Sequence, residues 1–380
     1  MKVLHVPTDT GGHPQGLAQA ERMLGLDGRV VTLLPPPFGM QADEVLWPEG
    51  TGPLSALVRQ IGLIRRAVRD YDIVHYNFGR TIAALPLPST RDMPASERLK
   101  RRIYSAYATL LQRHEMAAVR RHGRPYFVTY QGDDARQADY CLRHFDITFY
   151  REPGSTAAAQ TSDHIRRQIA LLAPGASKVY ALNPDLLHVL PAGSEFMPYA
   201  SVDIRKWQPE WHDAERPLIL HAPSSRWVKG TRYILDAVER LRAEGHAFDF
   251  ELVENMPREA ARQRYARAHL LVDQLLAGWY GGLAVELMAL GKPVMCYIRR
   301  EDLSFIPAEM RRQLPIIEAR PDNVHDILRR WLARPLAEWR AHGEAGRRFV
   351  EAWHDPLLIA ARVRQDYQSA LERRATGQNG

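Results

Sequence analysis

Two cations precede a predicted helix in the segment HAPSSRWVKGT, residues 221–231. Ser224, Arg226 and Lys229 lie just before the helix, which we expect to begin near Thr231. Cations beside a helix N-terminus, where the amide groups carry partial positive charge, are suited to binding a diphosphate. The alternative is a capped helix whose basic side chains are simply solvated.

A second chemical group lies in GWYGGLAVELMALGKPV, residues 278–294. The backbone amides of Tyr280, Gly281 and Gly282 open a short apolar helix, and Glu286 lies one turn further along. A carboxylate in an apolar helix costs free energy unless it is paired. Glu286 could accept hydrogen bonds from the two vicinal hydroxyls of a ribose, or it could bond to a buried arginine or amide.

Glycines also follow the first predicted strand, in PTDTGGHPQG, residues 7–16. Gly11 and Gly12 leave the backbone bare near a helix N-terminus, so an anion or a sugar could approach closely. His13 follows them and is a candidate for binding a second substrate. The segment is neither G-x-G-x-x-G nor a P-loop, which disfavours a nicotinamide dehydrogenase, and a plain turn is the alternative.

Two further strands end in polar residues: DIVHYNFGR, 72–80, and TYQGDDARQ, 129–137. The candidate ligand-binding residues at these ends are His75, Asn77, Gln131, Asp133 and Asp134. The paired carboxylates could bind hydroxyl groups, orient Arg136 or transfer a proton. A lone histidine at a strand end is more often structural. No further ligands lie at metal-binding spacing, so we expect no metal site.

Composition limits the class of protein. The chain has 380 residues, a formal net charge of +7 and 45% hydrophobic residues, as expected for a globular protein of two domains. No apolar run is long enough to span a membrane. Cys141 and Cys296 form no metal or redox motif. We therefore expect a cytoplasmic protein with reduced thiols, and the positive charge suits an anionic ligand or surface.

The basic residues are concentrated in 97–124, where eight Arg or Lys face two Glu. Apolar residues recur there at helical spacing, and basic residues fall on the other side, which predicts a basic amphipathic helix. The apolar set is Leu99, Ile103, Tyr107, Leu110 and Ala117. The ordinary interpretation is a solvated face. The alternative is contact with anionic lipid, peripheral on the inner face of the membrane, or with a phosphorylated ligand.

The elements that must hold these residues alternate between strand and helix, which predicts two doubly wound α/β domains. The predicted strands are 2–6, 29–34, 72–77, 125–130, 146–150 and 178–182, then 218–222, 249–253, 270–275 and 293–298. Residues 231–245 form a clear amphipathic helix. We expect a first domain over 1–195, a linker over 196–211 and a second domain over 212–355. A C-terminal helix over 356–380, ending in a flexible tail, would pack on its own domain or cross back to the first.

Together these residues resemble the retaining GT-B glycosyltransferases that build bacterial polysaccharides and glycolipids. The resemblance rests on Gly11-Gly12, a strand ending DIVH, SVDIRKWQP (201–209), Lys229-Gly230 and above all ELMALGKPV (286–294). It implies two Rossmann-like domains facing a cleft and a nucleotide-diphosphate sugar held by the second domain. Glu286 matches the second Glu of the family's Glu-x7-Glu motif, which binds the ribose. Lys229 matches the lysine on the diphosphate, and Glu254 to Pro257, including Met256, would lie near the base.

The sequence departs from that family at several positions. Gly278 stands where the first Glu of the motif, which holds hydroxyls of the donor sugar, is expected. Asp273 and Gln274 are the nearest polar residues that could replace it. The family's arginine lies five or six residues before the lysine, where this chain has Ser224 and Pro223, while Arg226 is closer to Lys229. Gln131 stands where histidine is common.

The resemblance therefore implies a metal-independent, hexosyltransferase-like glycosyltransferase without a cofactor, which would move a sugar from a nucleotide-diphosphate sugar to a glycan, lipid-linked or small-molecule acceptor. The expected catalytic residues are Arg226, Lys229 and Asp133. Donor-binding residues would be Gly11, Gly12, Ser224, Arg226, Lys229, Glu254, Met256, Tyr280, Gly281, Gly282 and Glu286, and acceptor-binding residues His13, His75, Asn77, Gln131, Asp133 and Asp134. The alternatives are a catalytically silent partner of another transferase and a sugar-nucleotide epimerase on the same fold. We expect no nucleic acid partner.

Overall fold

The computed structural model describes residues 1–36, 40–83, 93–155 and 161–376. The chain divides into two compact units. The first comprises Met1–Asp139, Ala157–Ser201 and Pro356–Gly380, and the second Tyr140–Thr156 and Val202–Asp355. The C-terminal helix thus groups with the first unit. The expected flexible tail falls largely on 377–380, outside the described residues.

A seven-stranded parallel sheet forms the first unit, in the order β3-β2-β1-β4-β5-β6-β7. Its strands are β1 (Lys2–Val6), β2 (Asp27–Thr32), β3 (Glu44–Val45), β4 (Ile73–Asn77), β5 (Tyr126–Tyr130), β6 (Lys178–Ala181) and β7 (Glu195–Phe196). β4 and β5 are buried along their whole length, as in a sheet covered on both faces. Strands β3 and β7 are two-residue edge strands that the hydrophobic pattern alone did not predict.

Helices cover both faces of this sheet. They are α1 (His13–Met23), α2 (Pro53–Arg69), α3 (Ala95–Arg121), α4 (Ala138–His144), which passes into the second unit, and α5 (Ser162–Leu172). Helices α2, α3 and α5 share one hydrophobic core with β4 and β5. Helix α1 packs in a second core on the other face.

The second unit contains a five-stranded parallel sheet in the order β12-β11-β10-β8-β9. Its strands are β8 (Leu218–His221), β9 (Asp249–Leu252), β10 (Leu270–Val272), β11 (Val294–Cys296) and β12 (Ile316–Glu318). Its helices are α6 (Arg226–Lys229), α7 (Thr231–Ala243), α8 (Arg258–Arg267), α9 (Gly282–Ala289), α10 (Ala308–Gln313), α11 (Val324–Leu332) and α12 (Leu336–Trp353). The last helix, α13 (Pro356–Ala375), packs on α1 of the first unit. The prediction of two doubly wound α/β domains is therefore confirmed.

The predicted strand 146–150 is wrong. The chain forms a single 3-10 turn at Phe149–Arg151, in which the Thr148 side chain accepts a hydrogen bond from the amide of Tyr150. The surrounding segment 140–155, expected in the first domain, groups with the second unit. Its apolar residues resembled a buried strand because they pack on other elements of that unit, a long-range contact that periodicity does not reveal.

Candidate functional site

The carboxyl edge of the second sheet is where ligands bind in open parallel α/β sheets. β8 ends at His221, and β10 is followed by Asp273. His221 is buried, with Nδ1 beside the carbonyl of Val272 and Nε2 beside the hydroxyl of Thr231. Since a carbonyl only accepts, Nδ1 carries the proton and Nε2 accepts from Thr231. Burial lowers the pKa of His221 to about 4, so the ring is neutral and fixes the start of α7.

Lys229 is held beside the start of α9 by a buried carboxylate. Its Nζ lies 2.8 Å from Oδ1 of Asp273, whose Oδ2 accepts a hydrogen bond of 3.0 Å from the amide of Gly281. Asp273 is 1% exposed and the Lys229 side chain 12%. A Cβ at Gly281 would lie 3.4 Å from the lysine nitrogen, so the glycine lets the ammonium approach the helix end. Asp273 is a site residue that sequence reasoning named only as a substitute for the missing Glu.

Arg226 and Glu254 form a pair at the same edge. Nε and Nη2 of Arg226 donate to the two carboxylate oxygens of Glu254, at 2.8 and 2.5 Å. The arginine side chain is 61% exposed. Exposed ion pairs contribute only about 0–1 kcal/mol, so a ligand can open this one at little cost. The sequence assigned Arg226 to the diphosphate and Glu254 to the base, and the structure brings these two side chains together.

Glu286 lies one turn inside α9, between the buried residues Val285 and Leu287. Glu286 itself is half-buried. Ser224 is exposed and Met256 half-buried, each just beyond a strand end. Tyr280 points inward instead, because its hydroxyl meets Nε2 of His354 at 2.8 Å.

The structure explains why position 278 holds a glycine instead of the expected first Glu. Its φ of +86° is a conformation that favours glycine. A Cβ there would lie 2.6 Å from Nη1 of Arg299. That guanidinium is fixed by Asp302 at 3.0 Å and by the carbonyl of Ile147 at 3.0 Å, and it stacks 3.6 Å over Phe145. A buried cation thus occupies the space that a side chain at 278 would need.

The segment 140–155 packs around this edge of the second sheet. Besides Phe145 and Ile147, it supplies Glu152, which pairs with Arg232 at 2.9 Å and accepts from the hydroxyl of Tyr233. Its Phe149 ring packs edge-on against Trp227, which lies next to Arg226. The loops at this edge of the second sheet are therefore supported by a piece of chain that lies between β5 and β6 in sequence.

At the carboxyl edge of the first sheet, several candidate residues are built into the fold. His75 is fully buried, with Nδ1 at 2.6 Å from the hydroxyl of Tyr367 and Nε2 at 2.7 Å from that of Thr129. Burial lowers the pKa of His75 well below its ordinary value. His13 is buried too, and its Nδ1 accepts from the amide of Ala200. These histidines hold the backbone and the C-terminal helix in place.

Asp133 and Asp134 have different environments. Asp133 is 67% exposed and meets Arg136, which Asp185 holds from its other side. Asp134 accepts hydrogen bonds from the amides of Gln131 and Gly132, so it closes the turn after β5. Burial raises the pKa of Asp134 to about 6, against the opposing effect of those amides.

Two polar atoms at adjacent strand ends lack partners among the described residues: Oδ1 of Asn77 and Nε2 of Gln131. β4 and β5 are neighbours, so both atoms belong to the same stretch of the sheet edge. A buried polar atom without a hydrogen bond costs about 1–3 kcal/mol. Both atoms are buried, and Asn77 is 0% exposed, so they lie below the surface of this edge. Gly11 and Gly12 both have positive φ angles and form the turn before α1.

Glu115 is a buried carboxylate with a perturbed pKa that was not among the candidates from the sequence. It is fully buried in α3 and accepts hydrogen bonds from the hydroxyl of Tyr76 and from the amides of Ile82 and Ala83. Burial raises the pKa of Glu115 to about 7, although the amides oppose the shift. It fixes the loop that follows β4. Among the described residues, no cluster of three or more metal-ligating side chains is present.

Comparison with solved structures identifies the fold. Sucrose-phosphate synthase from Thermosynechococcus elongatus matches 98% of this chain and 100% of its own, with a TM-score of 0.60 and 15% identity. The chain has the GT-B fold. The Anabaena protein HepE in complex with UDP-glucose matches 97% of this chain and 100% of its own, with a TM-score of 0.58 and 12% identity. An alpha-glucosyltransferase in complex with UDP and DNA matches 96% of this chain and 98% of its own, with a TM-score of 0.57 and 10% identity. No family model and no curated protein sequence matches the chain.

Proposed function

We propose that this GT-B protein is a glycosyltransferase, which moves a sugar from a nucleotide-diphosphate donor to an acceptor hydroxyl in glycan, glycolipid or glycosylated-metabolite synthesis. One observation carries the proposal. Lys229 is fixed by Asp273 beside the amide of Gly281, at the start of α9 and on the ligand-binding edge of the second sheet. An ammonium group has three donors, and Asp273 leaves others for phosphate oxygens.

The remaining donor residues follow from their positions. Arg226 would leave Glu254 and bind the diphosphate, which exchanges a weak exposed pair for charge-assisted bonds to phosphate. Glu286 would bind the ribose hydroxyls, with Glu254, Met256 and Ser224 near the nucleoside. Cations and the first-turn amides of α9, including that of Gly282, would stabilise the leaving diphosphate without a metal ion.

The first sheet would supply the acceptor side. Asn77 and Gln131 each have a buried polar atom without a partner among the described residues, and Asp133, two positions after Gln131, is an exposed carboxylate. We propose Asp133 as an acceptor-binding and catalytic residue, and the turn at Gly11-Gly12 as a place where a ligand can approach the backbone. Retention of anomeric configuration is part of the proposal through the resemblance of ELMALGKPV alone.

The test is thermal stability against a panel of nucleoside diphosphates and sugar nucleotides, beginning with UDP and UDP-glucose because two of the similar structures hold those ligands. A ligand that binds only the folded protein raises the melting temperature. We expect one nucleotide to stabilise wild type and not Glu286→Ala. Glu239→Gln, an exposed acid in α7, is the control and should respond like wild type.

Transfer and hydrolysis are then measured with sugars on the base that binds. The alternative motivated by Gly278 is a silent sugar-nucleotide-binding partner, which predicts a shift in melting temperature without turnover. An epimerase would convert the sugar nucleotide with no acceptor present. If no nucleotide stabilises the wild type, the proposed donor site is incorrect.

A further inference from the structure

Helix α3 exposes a row of large apolar side chains instead of burying it. Leu99, Ile103, Tyr107 and Leu110 are 58%, 64%, 43% and 70% exposed. At about 100° per residue they occupy an arc of roughly 80° on the helix. The buried residues of α3 lie on the opposite side and begin only at Ala108. The row is therefore directed away from the core.

Positive charge borders the row on both sides. By helical position Lys100 lies on one flank, and Arg102 and Arg113 lie on the other, all three exposed. None of the three forms an ion pair with any residue that the structure describes. The two acids of α3 do not face the row, because Glu115 is buried and Glu97 pairs with Arg101 at 3.1 Å.

The start of α2 adds to this surface. Leu54 and Val58 are 81% and 68% exposed in its first two turns. Helices α2 and α3 contact each other and pack on the same hydrophobic core. Both helices end a few residues before a parallel strand begins, so their N-terminal halves lie toward the carboxyl edge of the first sheet.

The length of α3 places its exposed apolar row beyond the carboxyl edge of the sheet. Its 27 residues extend for about 40 Å, whereas the five residues of β5 extend for about 17 Å. The C-terminal end of α3 lies near the amino edge, because β5 follows after only four residues. The N-terminal half therefore projects past the carboxyl edge, at which β4 and β5 end.

We infer that the exposed row of α3, together with Leu54 and Val58, binds the surface of an anionic membrane. Apolar side chains between cations match a lipid interface, in which the chains enter the acyl boundary and the cations meet phosphate headgroups. The acceptor edge of the first sheet is then held at the lipid surface. Resting on the proposed function, this implies an acceptor carried by a lipid. No described helix is long and apolar enough to cross a bilayer.

Co-sedimentation with vesicles tests the inference without a nucleotide. We expect wild type to bind phosphatidylglycerol-containing vesicles, to bind pure phosphatidylcholine weakly, and to dissociate as salt is raised. The triple variant Leu99→Ser, Ile103→Ser, Leu110→Ser should bind at least about tenfold more weakly, since each side chain loses several buried CH₂ groups. The control, Leu358→Ser, alters an equally exposed leucine on α13 and should bind like wild type.

A second variant separates charge from apolar contact. Lys100→Gln, Arg102→Gln, Arg113→Gln should weaken binding by about fivefold per removed cation and abolish most of the salt dependence. All these side chains are exposed, so the melting temperatures should stay close to that of wild type. The nucleotide-induced shift should remain in every variant, so failure of this inference and failure of the proposed donor site are distinguishable.

Either of two results would overturn the inference: a wild type that stays in the supernatant with anionic vesicles, or a serine variant that binds them as well as wild type does. In the first case light scattering shows what the row does instead. The wild type could be dimeric and the serine variant monomeric. The exposed row would then be an interface between two copies of the chain.

Discussion

Glu115 in α3 and Glu286 in α9 are both acids set in helices beside a carboxyl sheet edge, but their surroundings differ. Glu115 is fully buried and satisfies three donors of its own unit. Glu286 is half-buried, between apolar neighbours. A similar contrast separates Asp134, which accepts from backbone amides and is buried in the first unit, from Arg226, whose pair with Glu254 leaves the arginine side chain 61% exposed. The first edge thus uses buried acids to hold its loops, although Asp133 stays exposed there, and the second edge exposes Arg226.

The largest effect on stability should come from removing the buried acid. Glu115→Ala leaves the hydroxyl of Tyr76 and the amides of Ile82 and Ala83 without their acceptor, at about 1–3 kcal/mol each. We expect the free energy of unfolding to fall by about 4 kcal/mol, measured by chemical denaturation. Glu286→Ala is the matched change in the second unit. If Glu286→Ala lost as much stability as Glu115→Ala, Glu286 would also hold the fold, and the two acids would not differ in role.

The second test concerns the tightly packed space between Gly278 and Arg299. Gly278→Ala places a Cβ against the Arg299 guanidinium and strains a positive φ, which together should cost about 3–4 kcal/mol. Gly281→Ala is the control, because its Cβ would lie no closer than 3.4 Å to any neighbouring side chain, the nearest atom being the flexible end of Lys229. Thermal unfolding of the two variants measures the difference. Equal melting temperatures would contradict the assigned role of Arg299.

The pH dependence of His221 offers a third test. Its folded pKa of about 4 lies below the ordinary histidine value of 6.5, so the stability it contributes is present above pH 6.5 and is lost as the pH falls toward 4. The shift corresponds to about 3 kcal/mol. The His221→Asn variant has no titrating group at this position. Because the wild type loses this stability as the pH falls, the difference in unfolding free energy between wild type and variant should be smaller at pH 4 than at pH 7. A constant deficit would mean that the ring is not held neutral.

The smallest effect on stability is expected at the exposed pair. Arg226→Ala should lower the unfolding free energy by less than about 1 kcal/mol, because the pair with Glu254 is largely solvated. It should nevertheless weaken binding of the nucleoside diphosphate, measured by calorimetry. Arg232→Ala, which removes the ion pair with Glu152, is a control that should leave the affinity near that of wild type. An unchanged affinity in Arg226→Ala would remove this arginine from the donor site.

Local patterns predicted much of the fold, and they also selected the candidate site residues, whose roles stay predictions. Short runs rich in apolar and aromatic residues identify buried strands such as 125–130, and the 3.6-residue period identifies the helix at 231–245, since both patterns depend on neighbouring residues. Glu286 could be selected as a candidate for the same reason, because an acid in an apolar helix after glycines is visible in the sequence without knowing the fold. The contrast between Glu286 and Glu115 was not visible, because α3 carries many charged residues and the partners of Glu115 lie more than 30 positions away.

Residue patterns alone predict two parallel α/β sheets, the position of the glycine loops and the basic amphipathic character of α3. The folded structure is needed to show which groups meet: Lys229 with Asp273, Arg299 in the space beside Gly278, and segment 140–155 within the second unit. It also decided that His75 is enclosed and that the apolar row of α3 faces outward. The physical reason is that periodicity fixes the faces of an element, whereas what covers each face depends on residues far away in the chain.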